Sequence, residues 1–384
     1  MIDDFSFGQT KRRAEQPLPS PSPSDDLSRF EGEGGLPTSH SDAENQKKST
    51  PPWKAIVARY QKSSTKRAVW QFVNTLVPYA GLWYLMYLVH DISWWLAAPL
   101  AILAGGFLIR LFIIMHDCGH GSFFKSQRAN HIFGTITGVL TFTPYFHWRW
   151  EHSIHHSSSG DLDRRGTGDM WTLTVQEYLE LSRWKRFSYR LSRNPVVLFV
   201  IAPLFLLFVK HRLASSTAAR RERLSVYGTN LTVLGIAIAL SYIFGFKTFL
   251  FLQLLAAGVA YSAGVWLFYV QHQFEGVYWE RGESWDYAQA ALQGSSFYKL
   301  PKILQWFSGN IGFHHIHHLS PRIPNYALER CHEAEPLFQT VKAVTLLSSF
   351  KSFSIHLWDE QRRKLVDYRQ LRMMMKQQKQ GLVS

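Results

Sequence analysis

The sequence predicts an all-α integral membrane protein: four transmembrane helices set as two hairpins, with a cytoplasmic helical cap holding a histidine-rich site. Three observations carry that prediction. Four mostly apolar runs are long enough to cross a bilayer, basic residues flank them with a consistent sidedness, and three short histidine clusters fall on one side. Of 384 residues, 46% are hydrophobic, 15% aromatic and 18% charged, and the formal net charge is +14. Apolar runs longer than a soluble core helix needs exclude a soluble globular enzyme.

Residues 1–50 stand apart. They carry nine Asp/Glu against six Lys/Arg, and segments such as QPLPSPSPSDD and EGEGGLPTSH bury too little apolar surface to offset backbone entropy. This stretch is expected to be a disordered tail. It has no apolar core of a secretory signal, and its acidic residues argue against a transit peptide. Residues 51–360 read as the folded membrane domain, and residues 361–384 as a polar, basic C-terminal tail.

Ala68–Val89 and Ile92–Met115, separated by His90 and Asp91, form the first candidate hairpin. Tyr227–Phe244 and Lys247–Val270 form the second, around a short Gly-Phe turn. Lys54, Arg59, Lys62, Lys66 and Arg67 precede the first span and place its start in the cytoplasm. Lys210, His211, Arg212, Arg220, Arg221 and Arg223 mark residues 210–224 as cytoplasmic as well. The runs His131–Phe146 and Pro195–Val209, about 15 residues each, are marginal for crossing and are read as interfacial or re-entrant. Arg110, near the inner end of the second span, is expected to snorkel. The basic body reads as positive-inside topology with attraction to anionic headgroups, and no nucleic-acid partner is expected. The two cysteines, Cys118 and Cys331, make neither a disulfide framework nor a CxxC site.

Of 17 histidines, nine fall in three clusters: His116-Asp-Cys-Gly-His120, His152-Ser-Ile-His155-His156 and His314-His315-Ile-His317-His318. Spacings of i, i+3 and i+4 put each set on one helical face. His272 sits alone at the inner end of the fourth span. Neutral imidazole is the commonest metal-ligating side chain, and face-matched sets point to metal. One zinc ion takes about four ligands, and the HExxH pattern is absent. The Glu-x-x-His pair of carboxylate-bridged bundles is missing too, since Ile154 lies three residues after Glu151. Bis-histidine haem would need ligands facing each other at membrane depth. Eight or nine imidazoles suit two octahedral-like ions, and an all-histidine or nearly all-histidine di-iron centre fits best.

HDCGH, HSIHH and HHIHH resemble the three histidine boxes of the membrane fatty acid desaturase superfamily, over about Pro52 to Leu357. SSSGDLDRRGTGDMWTLTVQEY and GNIGFHHIHHLSPRIPNY are similar to acyl-lipid desaturases of the delta-12 (omega-6) and bacterial delta-5 kind. The resemblance implies metal ligands at His116, His120, His152, His155, His156, His314, His317 and His318. It adds His272, matching a further histidine that family members place after the last span. His315 is a departure, an extra imidazole inside the third box, and is read as structural or as supporting the ligands from behind. Asp117 and Asn310 are candidates to orient ligating imidazoles, with helix capping or solvation as the alternative. His147 reads as an interfacial polar residue.

The resemblance further implies two iron ions with O2 as co-substrate, removing two hydrogens from adjacent methylenes of an acyl-lipid or acyl-carrier substrate to leave a cis double bond. No bound organic cofactor is expected. Trp148, Trp150 and Trp171 are candidates for lining an acyl tunnel or for interfacial anchoring. No fused haem segment, iron–sulfur cysteine set or GxGxxG is found, so electrons are expected from an external donor such as cytochrome b5 or ferredoxin. The basic cytoplasmic face offers it a dock, though positive-inside bias alone explains those charges. Rival readings are a hydroxylase, acetylenase or conjugase of the same fold, a carotenoid or sphingolipid oxidase, and more distantly a non-enzymatic metal or haem protein. The expected site is an endoplasmic reticulum membrane, or the plasma membrane if the protein is bacterial, with the active site cytoplasmic.

Overall fold

The computed structural model describes residues 52–381; the segment read as a disordered tail lies outside the described residues. After a short helix α1 (Pro52–Ala58), α2 (Thr65–Val89) and α3 (Trp94–Gly119) make the first hairpin. Helices α4 (Gln127–Leu140) and α5 (Tyr145–Ser158) follow, then β1 (Leu173–Thr174), α6 (Val175–Glu180) and α7 (Arg183–Ser192). A π-helical turn (Val197–Ile201) runs into α8 (Ala202–Phe208), and α9 (Arg220–Phe244) with α10 (Phe246–His272) makes the second hairpin. The remainder belongs to the cap: α11 (Tyr287–Gly294), β2 (Phe297–Lys299), α12 (Lys302–Phe307), α13 (His314–Leu319), α14 (Asn325–Ala334), α15 (Pro336–Gln339), β3 (Ala343–Thr345), β4 (Leu357–Asp359), β5 (Lys364–Val366) and α16 (Tyr368–Gly381).

Four helices, α2, α3, α9 and α10, are 25 to 27 residues long and apolar enough to cross a bilayer. Ser64 and Ser93, in extended backbone, accept a first-turn N–H at the start of α2 and α3. α3 is the most enclosed of the four. Its Ala97, Ala101 and Ala104 are fully buried in one cluster with Leu82 and Met86 of α2 and Leu252 and Ala256 of α10. Small residues let the helix backbones approach closely, which matters where apolar surroundings give no hydrophobic drive. A Cβ on Gly105 would stand 2.7 Å from the Ala256 carbonyl oxygen. Gly245, at φ +78°, makes the turn between α9 and α10. α9 buries little, leaving Leu231, Ile238 and Tyr242 exposed as a lipid-facing helix would.

Neither marginal run forms a long straight helix. α4 has 14 residues, about 21 Å at 1.5 Å per residue, short of the roughly 30 Å hydrocarbon layer. The second run bends by 63° relative to α7.

Three expectations are corrected. The fold is not purely helical: β1, β4 and β5 form one small sheet and β2 with β3 a parallel pair. Strands of two or three residues are too short to print an alternating pattern. Part of the stretch read as a polar, basic C-terminal tail is packed on the domain. β5 pairs antiparallel with β4, and Leu371 of α16 is buried with Tyr178, Tyr189 and Leu357. Arg110 does not snorkel; it is 7% exposed, donates to Thr75 Oγ1 at 3.1 Å and to the Trp306 carbonyl, and lies 3.9 Å over the Trp306 ring. The indole ring and two acceptors beside it supply what water would have offered.

Candidate metal centre

The three clusters reach one place because the cap is strapped to the inner end of α3. His116 occupies the last turn of α3 and His120 caps it. Gly121, at φ +67°, then reverses the chain. α5 is tied to that end: Tyr145 donates its hydroxyl to the Cys118 carbonyl at 2.8 Å, and Arg149 Nε to the Gly119 carbonyl at 2.8 Å. Gly134 of α4 leaves room for the Tyr145 ring, since a Cβ there would fall 2.3 Å from it. α13 is held by Phe313, Ile316 and Leu319 in an apolar cluster, and by Tyr287, which donates to the His318 carbonyl at 2.7 Å. His272 ends α10.

The result is two adjoining groups. One ring nitrogen from each of His116, His120, His152, His156 and His317 lies within 4.8 Å of the others. His155, His272 and His318 form the second group on the same measure. His314 joins them, its Nε2 3.0 Å from His272 Nε2. His156 and His318 stack at 4.2 Å between ring centroids and link the groups. All nine residues expected from the sequence are thus brought together. Seven are buried, while His120 and His152 are half-buried at one edge.

Four Nε2···Nε2 approaches run from 3.0 to 3.2 Å: His155–His272, His156–His152, His314–His272 and His317–His156. Two nitrogens about 2.1 Å from one ion and at right angles around it stand roughly 3 Å apart. The Nε2 atoms of His120 and His318 are buried without a hydrogen-bond partner. Burial pushes the imidazoles of His120, His152, His156, His314, His317 and His318 well below the ordinary histidine range, and neighbouring histidines push the same way. They are held neutral, the form that ligates metal. The donor set therefore fits metal ions. Among the described residues both groups contain histidine alone.

Carboxylates brace two of the rings from behind. Asp117 Oδ1 lies 3.0 Å from His116 Nδ1, while its Oδ2 accepts the N–H of Asn325 at 2.6 Å, at the start of α14. Asp169 was not among the sequence candidates. Its Oδ1 is 2.6 Å from His155 Nδ1, and its side chain is almost wholly buried. Gly166 and Gly168, at φ +128° and +74°, turn the loop that delivers it. The two glycines just before an aspartate downstream of the second box were the available signal.

Asn310 does not touch the imidazoles in the role expected of it. At φ +61°, it accepts from Gln305 and donates to the Asn325 carbonyl at 3.1 Å, fixing the loop before α13 to α14. His315 points to the other side of α13, among Phe297, His332 and Phe338, where burial pushes its pKa down to about 3. It is structural. His147 is buried rather than interfacial, its Nε2 accepting the Ser215 N–H at 3.1 Å. Trp148 stacks on His152 at 4.3 Å, whereas Trp150 lies against His147 and Trp171 against Tyr189.

Comparison with known proteins agrees with this geometry. The sequence model described as Fatty acid desaturase matches residues 92–344. A protein named "Fatty acid desaturase" from Bacillus subtilis (strain 168) is 49% identical over 316 residues, covering 82% of this chain and 90% of that protein. The "sn-1 acyl-lipid omega-3 desaturase (ferredoxin)" of Synechocystis sp. is 30% identical over 63% of this chain and 68% of its own length. The "Acyl-lipid omega-3 desaturase (cytochrome b5), endoplasmic reticulum" of Arabidopsis thaliana is 31% identical over 72% and 74%. The chain belongs to the fatty acid desaturase family, a family of oxidoreductases of lipid metabolism.

Proposed function

We propose that this chain is an O2-dependent acyl-lipid desaturase that introduces a cis double bond into an acyl chain, with two iron ions and an external electron donor. The observation that carries this reading is the pair of all-histidine groups, with nitrogens spaced as neighbouring ligands of one ion are. His116, His120, His152, His156 and His317 would hold one ion, and His155, His272, His314 and His318 the other. Iron supplies the O2-derived oxidising power that breaking an unactivated C–H bond requires.

The chain's own residues do the rest. Asp117 and Asp169 fix ring orientation and tautomer for His116 and His155, leaving Nε2 free to ligate. Burial keeps the imidazoles neutral and water out, which protects a reactive site from side reactions. The acyl chain must be held with one methylene pair at the metals, because the reaction's selectivity lies in positioning. His120 and His152 form the less buried edge of the site, and the exposed Lys125 and Arg128 that follow His120 in sequence would attract an acidic electron carrier. Ferredoxin and cytochrome b5, carried in the names of the relatives above, are the two donors to reconstitute.

The test is fatty-acid methyl-ester analysis, with double-bond localisation, of yeast producing the chain beside a His155→Ala control. A new unsaturated ester that disappears in the control is the expected result. New hydroxylated or acetylenic chains would reassign the reaction. No new lipid from a chain carrying two irons and supplied with either donor would overturn the acyl-lipid reading.

A further inference from the structure

The segment between the second histidine cluster and the second hairpin has a face that the site does not use. His155 on α5 and His272 at the end of α10 approach to 3.2 Å, so the chain must leave and regain the same side of the membrane between them. α9 and α10 account for two crossings. A third, through α7 and α8, would put His272 across the bilayer from His155, so α7 and α8 stay on the histidine side.

Yet their outer faces are apolar. Trp184, Phe187 and Leu191 are 69%, 52% and 47% exposed, and their i, i+3, i+7 spacing makes one stripe along α7. The Trp184 and Phe187 rings stack at 5.4 Å. The opposite face is fixed to the protein: Tyr189 is fully buried and donates to the His356 carbonyl at 2.6 Å. Exposed Arg183 and Lys185 flank the stripe and have no carboxylate within ion-pair distance among the described residues. Past the 63° bend, Ile201, Phe205 and Phe208 continue the exposed apolar surface.

We propose that α7 is an in-plane helix seated on an anionic phospholipid surface, with α8 dipping into the same leaflet. A short amphipathic helix with Trp, Phe and Leu on one face and cations beside them is built to lie at the headgroup boundary. The opposite charges of the flanking residues and an anionic leaflet select that surface. Arg193, just past α7, donates to the Trp171 carbonyl and Thr172 Oγ1 and so ties the seat to the segment that follows Asp169. This inference rests on the crossing count and the exposed stripe, and stands apart from the reaction the site performs.

The test uses the full chain in lipid nanodiscs with a nitroxide at Phe187→Cys or Leu191→Cys, the native Cys118 and Cys331 being buried. Ile238→Cys on α9 serves as the lipid reference and Lys342→Cys, on a side chain 78% exposed, as the water reference. Collisions with O2 should exceed those with a water-soluble nickel chelate at 187 and 191, as at 238. A pattern like that at 342 would overturn the proposal. So would a label immobilised and shielded from both reagents, which would mean a second copy or a partner protein covers the stripe. Adding phosphatidylglycerol to phosphatidylcholine should shrink the water-exposed component at 187, and Arg183→Gln with Lys185→Gln should abolish that dependence. Indifference to the anionic lipid in the parent chain would refute the charged half of the proposal.

Discussion

The two imidazole groups are assembled by different means. The first draws His116 and His120 from one helix end, His152 and His156 from one turn of α5 and His317 from α13, and its brace, Asp117, is the chain neighbour of the ring it holds. At one edge His120 and His152 are only half-buried. The second takes single rings, His155 and His272, from α5 and α10 and the pair His314 and His318 from α13, is buried throughout, and is braced by Asp169 from a loop turned by two glycines. Helical i, i+4 pairs supply four of the five rings of the first group but only two of the four of the second, which leans more on tertiary packing. The second should therefore be the more sensitive to changes that leave the helices intact.

The largest effect expected is from removing a ligand. His155→Ala should lower product formation by more than about 100-fold, beyond the range for an outer partner of a ligand, and cost at least one bound iron by metal analysis. His120→Ala should likewise release iron. If it left two irons bound and full activity, the first group would not be a ligand set.

Next comes the comparison of braces. Asp169→Asn should weaken iron retention against a chelator by about 10–100-fold, and Asp117→Asn by less. The longer contact at Asp117 and its adjacency to His116 leave the ring other restraints. Equal losses would erase the distinction between the groups.

A pH series addresses the metal-free protein. Unfolded imidazoles take protons near pH 6.5, but the folded rings of His152, His156, His317 and His318 titrate well below that, and His356 at about 4, chiefly through burial. Because the folded values are depressed, the unfolded chain binds more protons on acidification. Stability is then fully present above about pH 6.5 and falls as pH drops toward those folded values. Thermal unfolding midpoints should be flat from about pH 9 to 7.5 and fall toward pH 5. A midpoint that rose on acidification would mean that the rings are charged in the folded chain.

The smallest effect belongs to His315, whose immediate neighbour is placed in the second group. His315→Leu should leave iron content unchanged and cost about 1–3 kcal/mol of stability, because the buried backbone groups of Ser296 and Phe338 lose a hydrogen-bond partner. His314→Leu should release iron. The pair reads out one helical step on α13 through metal analysis.

These contrasts show what the residues alone reveal. The spans were legible because hydropathy over 20 or more residues is a strong local signal, and His116, His120, His152 and His156 because i, i+4 spacing is visible in one line of text. His315 could be set apart for the same reason. Asp169 was hidden because it lies 14 positions after His155, most of them in a loop where no periodicity operates. Asn310 misled because nearness to a box in sequence is not nearness to a ring in space: its positive φ aims the side chain at the start of α14. The short strands and the docked α16 depend on partners far along the chain: the strands are too short to show a pattern, and α16 carries a polar, basic composition.

The central claim is that these nine histidines hold two metal ions without a carboxylate ligand. Iron quantification together with Mössbauer spectroscopy on the purified, iron-enriched full chain tests it most directly. The account predicts two irons per chain in nitrogen-rich, high-spin environments, with iron lost from both His155→Ala and His120→Ala. A single iron, a haem spectrum, or two irons that survive both substitutions would contradict it.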